Sequence, residues 1–205
     1  MILKAMINVT QKVTNRLVDL LVSCIVLIIL SPLFFMIALA IKITSRGGVI
    51  YTQKRVGFEE NTFQMYKFRS MISDAEKGLG PVWAAENDPR ATSVGSILRN
   101  SGLDELPQLV NVLKGEMSLV GPRPERPYFV QKFKKDIPSY KKIFNIKPGI
   151  TGWAQINWKY DDSLKGVIEK TKYDIYYVEN MSLKLDLKIL YSTLISLLKP
   201  GKSII

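Results

Sequence analysis

The chain is expected to fold as an α+β protein in which helix dominates. Three features point that way. A long apolar run is flanked by basic residues, two strand-favouring stretches surround a Gly/Asn turn between residues 49 and 68, and amphipathic periodicity runs from Leu164 onward. The 205 residues suffice for one domain with its own core, so 1–205 is expected to be a single unit, with 16–43 as a membrane helix–break–helix.

The apolar run comes first. Leu20 to Ile41 is 22 residues without a charge, interrupted only by Ser23, Ser31 and Pro32. A straight helix of that length would measure roughly 33 Å, enough to cross a bilayer core. Pro32 removes a backbone donor near the middle and disfavours helix just before it. Lys4, Lys12 and Arg16 precede the run, and Lys42, Arg46, Lys54 and Arg55 follow it. A true span would export one basic flank. A re-entrant pair of helices, broken at Ser31-Pro32 and leaving by the face it entered, keeps both flanks on one side. It is favoured over a kinked span, with the serine hydroxyl or neighbouring protein meeting the freed carbonyls.

Val49–Gln53 and Thr62–Phe68 then form a β-hairpin about Gly57–Asn61. Residues 70–76 read as the start of a helix, and Gly78–Thr92, rich in Pro and Gly, as a loop over the active face. Val94–Arg99 and Glu105–Leu113 are short helices, the second capped by Asp104 with Pro107 in its first turn. Glu125–Lys135 is a helix carrying Tyr128, Phe129 and Phe133, and Lys147–Asn157 a Gly-rich loop. Leu164–Val178 and Leu183–Leu198 are amphipathic helices. The last places Leu183, Leu187, Leu190, Leu194 and Leu197 on one face, beside Lys184 and Lys188, a stripe suited to the core or to a membrane surface.

Composition narrows the chemistry. Twenty-nine Lys and Arg against 18 Asp and Glu leave a net charge of +11, which suits nucleic acid, anionic lipid or phosphorylated substrates. The chain has no histidine, which removes the commonest general base and the usual zinc ligand. Its single cysteine, Cys24, can form no intrachain disulfide and reads as buried filler in the apolar run. Catalysis is left to carboxylates, Lys, Arg, Tyr, Ser or Thr, with or without a hard cation held by oxygen.

Asp104-Glu105 is the outstanding pair. Neighbouring helical side chains splay by about 100°, so one carboxylate can face a phosphorus while the other turns to a metal. A helix N-terminus would keep Asp104 ionised and nucleophilic. Pro122 and Pro124 hold Arg123 extended between them, which suits bidentate phosphate binding. Lys67, Arg69 and Arg99 are further cations, each better read, taken alone, as a solvated surface charge. Asp104 as a plain cap and 121–124 as a plain turn remain open on these residues alone. Trp153, Trp158 and Tyr160 can stack on a base or fill the core.

Several motifs in fixed order carry a resemblance. Ser31-Pro32 in its apolar run is followed by Tyr66-Lys67-Phe68-Arg69-Ser70-Met71, then Arg99 and Leu103-Asp104-Glu105-Leu106-Pro107-Gln108. Asn111-Val112-Leu113-Lys114-Gly115, Gly121-Pro122-Arg123-Pro124 and Pro148-Gly149-Ile150-Thr151-Gly152 complete the set. From about Arg16 to Lys199 the chain resembles the bacterial sugar transferase family, the monotopic polyprenyl-phosphate phosphoglycosyl transferases. It looks like their minimal catalytic unit.

The resemblance implies a Mg²⁺-dependent, ping-pong transfer of a phosphosugar from a UDP-sugar to undecaprenyl phosphate. The aspartate matching Asp104 forms a covalent aspartyl-phosphosugar and releases UMP, and the glutamate matching Glu105 is associated with the metal. Asp104 and Glu105 are thus the implied catalytic and metal residues, and Lys67, Arg69, Arg99, Arg123 and Lys159 the implied substrate-binding ones. Lys159 stands in Asn157-Trp158-Lys159, where many relatives have Asn-Gly-Arg. The implied setting is the cytoplasmic face of a bacterial inner membrane, where surface glycan assembly begins. A homodimer is compatible with it, and no nucleic acid partner is implied. The competing reading from composition is a membrane-tethered basic module that binds anionic lipid or nucleic acid. A third is a transferase whose donor is a different phosphate ester.

Overall fold

A computed structural model describes residues 2–76, 80, 82–83, 88–158 and 163–197, with side chains from residue 13 onward. Helix dominates, accompanied by two small two-stranded sheets.

Helices α1 (Ile2–Ile29) and α2 (Ser31–Thr44) meet at the expected break. Pro32 has no N–H for the carbonyl of Ile28 four residues earlier, and the Ser31 hydroxyl donates to that oxygen instead at 2.8 Å. Among the described residues no single helix is long and apolar enough to cross a membrane, but Val13–Ile29 and Ser31–Thr44, bent by 62°, are so together.

One face of α1 is polar and buried. Asn15 donates to Asp186 at 2.9 Å, Asp19 accepts from the Leu119 N–H at 2.9 Å, and Ser23 is fully buried. Arg16 donates to the carbonyls of Val112 and Leu113 at 2.6 and 2.8 Å. The opposite face shows Leu17, Leu21 and Ile28. Cys24 lies on it and is exposed, not the buried filler expected, because polar residues hold α1 to the rest of the fold.

The hairpin forms as an antiparallel pair, β1 (Ile50–Val56) with β2 (Thr62–Phe68), in the register Ile50–Phe68 to Val56–Thr62. Residues 70–76 are not helical. Their backbone is spent on the returning chain: Ile72 donates to Arg90, Thr92 to Ser70, and Met71 bridges Ala91. Helix α3 (Ser93–Asn100) follows, capped by the Thr92 hydroxyl on the Gly95 N–H at 2.9 Å.

Helix α4 (Gln108–Lys114) starts later than expected, after a 3₁₀ turn over Leu103–Glu105. Strand β3 (Ser118–Val120) then runs parallel to β4 (Gly149–Thr151), a pairing that no apolar alternation announced. It requires close backbones: a Cβ on Gly149 would lie 2.0 Å from the nitrogen of Gly121. Helix α5 (Pro127–Asp136) starts two residues after Glu125, because Pro127 holds Arg126 extended at φ −68°, ψ 146°. A 3₁₀ stretch over Pro138–Asn145 follows. The segment expected as a Gly-rich loop instead holds β4 and the short helix α6 (Trp153–Asn157).

Helices α7 (Leu164–Asn180) and α8 (Leu183–Leu197) close the described chain. α8 buries Asp186 and Ile189, and its stripe of Leu183, Leu187, Leu194 and Leu197 is exposed while Leu190 is half-buried. The leucine face therefore does not serve as core.

Candidate active site

Four elements converge on one charged cluster. Gly102, at φ 70°, turns the chain from α3 into the 3₁₀ turn that carries Asp104 and Glu105. Strand β2 supplies Lys67, and the segment after β3 supplies Arg123. Glu105 is 3% exposed, and both its oxygens are engaged. Lys67 Nζ donates to Oε1 at 2.5 Å, while Arg123 donates to Oε1 at 2.8 Å and to Oε2 at 3.2 Å. Burial alone would raise the Glu105 pKa, but Arg123 and Lys67 override it and hold the carboxyl well below the usual range. Burial lowers Lys67, an effect Glu105 partly offsets.

Asp104 is also buried, at 5% exposure, yet its Oδ1 has no hydrogen-bond partner. Burial pushes its pKa up to about 6, with Glu105 adding to the rise and Lys67, Arg123 and Arg99 opposing it. A carboxyl so placed is still largely ionised at neutral pH, and more nucleophilic than an ordinary aspartate. The pair thus divides its work: Glu105 is a counter-ion locked between two cations, and Asp104 presents an open oxygen.

Two expectations about this turn need correction. Asp104 is not a helix cap, since Pro107 occupies that position with αR dihedrals and no side-chain bond. Its acidity is set by burial against nearby cations, not by a helix end. Arg69 does not join the cluster either. Its guanidinium donates to the carbonyls of Ser45 and Arg46 and to the Ser45 hydroxyl, at 2.9, 2.8 and 2.7 Å, closing the end of α2. Arg99, in the last turn of α3, acts by its charge to lower the Asp104 pKa. Lys159 and Tyr160 lie outside the described residues. Trp153 stacks on Tyr176 at 5.9 Å with Lys188 over its ring, and Trp158 tilts against Tyr173.

Two contributors were not singled out from sequence. Arg55 donates to the Pro124 carbonyl at 2.8 Å and to Glu125 at 3.4 Å, and the Val56 N–H bonds the Glu125 carbonyl at 2.9 Å. Strand β1 thereby fixes the segment that aims Arg123. Asn111, fully buried, accepts from the Tyr66 N–H at 3.0 Å and donates to Gln64 O and Glu116 at 2.7 Å each. It joins α4 to the strand bearing Lys67. The signal for it was an amide set between valines in a short helix; Arg55 looked like a flanking charge.

Among the described residues no three Asp, Glu, Cys or His side chains are grouped to hold a metal. Magnesium, however, typically takes one or two carboxylates and completes its shell with water and substrate phosphate. The open Oδ1 of Asp104 beside Glu105 fits that pattern. Glu105 could contribute only by exchanging a bond from Lys67 or Arg123.

Residues 10–200 match the model of a family described as bacterial sugar transferase. An Aeromonas hydrophila protein, "UDP-N-acetylgalactosamine-undecaprenyl-phosphate N-acetylgalactosaminephosphotransferase", is 42% identical over 184 residues, 90% of this chain and 43% of that protein. A Klebsiella pneumoniae protein, "UDP-glucose:undecaprenyl-phosphate glucose-1-phosphate transferase", is 42% identical over 189 residues, 91% of this chain and 40% of that protein. The chain thus spans about two fifths of the length of these relatives. It spans 98% of the Rhizobium leguminosarum "Exopolysaccharide production protein PSS", which is 36% identical over 195 residues, 93% of this chain. With a match over nearly its whole length, set beside the carboxylate pair and its cations, the chain belongs to the bacterial sugar transferase family.

Proposed function

We propose that the chain transfers a sugar 1-phosphate from a UDP-sugar to undecaprenyl phosphate through a covalent intermediate on Asp104. The observation that carries this is the buried Asp104 carboxyl with an open oxygen, beside a Glu105 whose charge two cations already neutralise. The Oδ1 of Asp104 attacks the β-phosphorus of the donor. The bond from that phosphorus to the bridging oxygen breaks, and its electron pair leaves with UMP. A phosphate oxygen of undecaprenyl phosphate then attacks the aspartyl-phosphosugar, expelling the Asp104 carboxylate and forming the undecaprenyl-diphosphate-sugar. Lys67, Arg123 and Arg99 lower the repulsion between the carboxylate and the incoming diphosphate. Bound Mg²⁺, held by Asp104 or Glu105 with substrate phosphates and water, would add Lewis-acid neutralisation of the diphosphate. The UDP-sugar and undecaprenyl phosphate named for the relatives have the phosphate chemistry this cluster suits.

We read α1 and α2 as re-entrant. The exposed faces carrying Leu21, Ile25, Ile28, Phe35, Met36 and Ile43 would meet lipid, and the basic flanks would stay on the cytoplasmic side of a bacterial inner membrane. The exposed leucine face of α8, with Lys184 and Lys188 beside it, would lie along the same surface. The alternative of a basic module for nucleic acid is disfavoured, because Lys67 and Arg123 turn inward onto Glu105 rather than outward.

The test is UMP release by the full chain in lipid nanodiscs, given undecaprenyl phosphate and either UDP-N-acetylgalactosamine or UDP-glucose, with and without Mg²⁺. Asp104→Asn is expected to abolish both turnover and the donor-derived adduct seen by mass spectrometry. Full turnover by that variant overturns the covalent role, and salt-sensitive DNA binding without turnover would favour the basic module.

A further inference from the structure

Two amides are buried in α4, and their treatment differs sharply. Asn111 has three hydrogen bonds. Gln108, one turn earlier and 1% exposed, has none on its Nε2. A buried donor without a partner is destabilising, and folded proteins rarely retain one. The second orphan of this turn is Asp104 Oδ1, an acceptor. Leu106 and Pro107 keep right-handed helical dihedrals, so the backbone winds on from the carboxylate pair to Gln108. Three and four residues on from Glu105 and Asp104, Gln108 falls on their face. An open acceptor and an open donor therefore sit within one turn of each other, both shielded from water.

We propose that Gln108 is a further catalytic residue, whose amide N–H donates to a non-bridging oxygen of the phosphoryl group that Asp104 receives. This rests on the reading of Asp104 as nucleophile. The phosphoryl oxygens gain a fixed, neutral donor where Lys67 and Arg123 are cations held by Glu105. A neutral donor adds no charge that would pair with Asp104 in the resting protein and blunt its attack. Because the amide is already desolvated, it meets the incoming oxygens without first shedding water.

Replacing Gln108 with methionine, of similar length and shape, removes the amide donor together with its carbonyl oxygen. The two roles the residue could have then give opposite results. A group that stabilises the resting fold lowers the melting temperature when lost; an unpartnered donor leaves it unchanged or raises it. Measured on the full chain in nanodiscs with UDP-N-acetylgalactosamine, UDP-glucose and undecaprenyl phosphate, Gln108→Met and Gln108→Leu are expected to melt no lower than the parent. Their kcat is expected to fall about ten- to a hundredfold, with KM for the donor within about threefold. A kcat within twofold of the parent overturns the proposal, and so does a lower melting temperature in both variants. Asp104→Asn is run alongside: if it is dead while Gln108→Met is fully active, only the role of Gln108 falls. If Asp104→Asn turns over, the covalent reading falls and this proposal falls with it.

Discussion

Arg123 grips Glu105 with two prongs, at 2.8 and 3.2 Å, across 18 residues of sequence. Lys67 meets the same carboxylate from strand β2 at 2.5 Å. Removing the shared anion strands two largely buried cations. Glu105→Gln is expected to cost about 3–5 kcal/mol of stability, read as a lower melting temperature, along with loss of turnover. Arg123→Lys keeps the charge but gives up the fork, so turnover is expected to fall with a smaller loss of stability. Equal melting temperatures for parent and Glu105→Gln would show that the cluster does not hold the site together.

Asn111 joins α4 to β2 through three bonds. Asn111→Leu leaves the Tyr66 N–H and Gln64 carbonyl without partners and is expected to cost about 3 kcal/mol or more, measurable by denaturant unfolding. Arg16→Met frees the last carbonyls of α4 and is expected to cost about 1–3 kcal/mol. A neutral result for Arg16→Met would show that α1 and α4 are held together without it.

The break at Ser31-Pro32 makes a topological prediction. Reporters fused to the two termini are expected on the same side of the membrane, and finding them on opposite sides would establish a kinked span. Ser31→Ala with Pro32→Ala restores an ordinary N–H donor to the Ile28 carbonyl. The double variant is expected to relax the bend of 62° toward a straight helix.

Asp174, buried on α7, carries a pH signature. Burial raises its pKa to about 6, with Lys170 opposing and Glu125 reinforcing. Its folded pKa thus lies above the ordinary 3.8, so the native state holds the proton longer. The stability this confers is complete below about pH 4 and is lost as pH rises through about 6. The expected loss is on the order of 3 kcal/mol. Asp174→Asn is expected to reduce the slope in that window, to which Asp104 also contributes, in melting curves taken between pH 4 and pH 8. An unchanged slope would place the titration elsewhere.

Local rules made much of this architecture readable in advance. Proline chemistry placed the break between α1 and α2, turn residues placed the hairpin, and periodicity placed α7 and α8, because each depends on neighbours within a few positions. The Asp104-Glu105 pair and Arg123 between its prolines stood out for the same reason. What residue order alone could not convey came from partners far apart along the chain. Strands β3 and β4 pair over three residues each, too short for alternation to register. Segment 70–76 gave up a helix for bonds to residues 90–92. Arg69 went to the end of α2 while Lys67, two residues before it, went to Glu105, because Arg69 lies just past β2, where the Ser45 and Arg46 carbonyls meet it. Above all, the unequal treatment of two adjacent carboxylates came from burial and from cations that long-range packing delivered, since acidity inside a protein follows surroundings more than residue type.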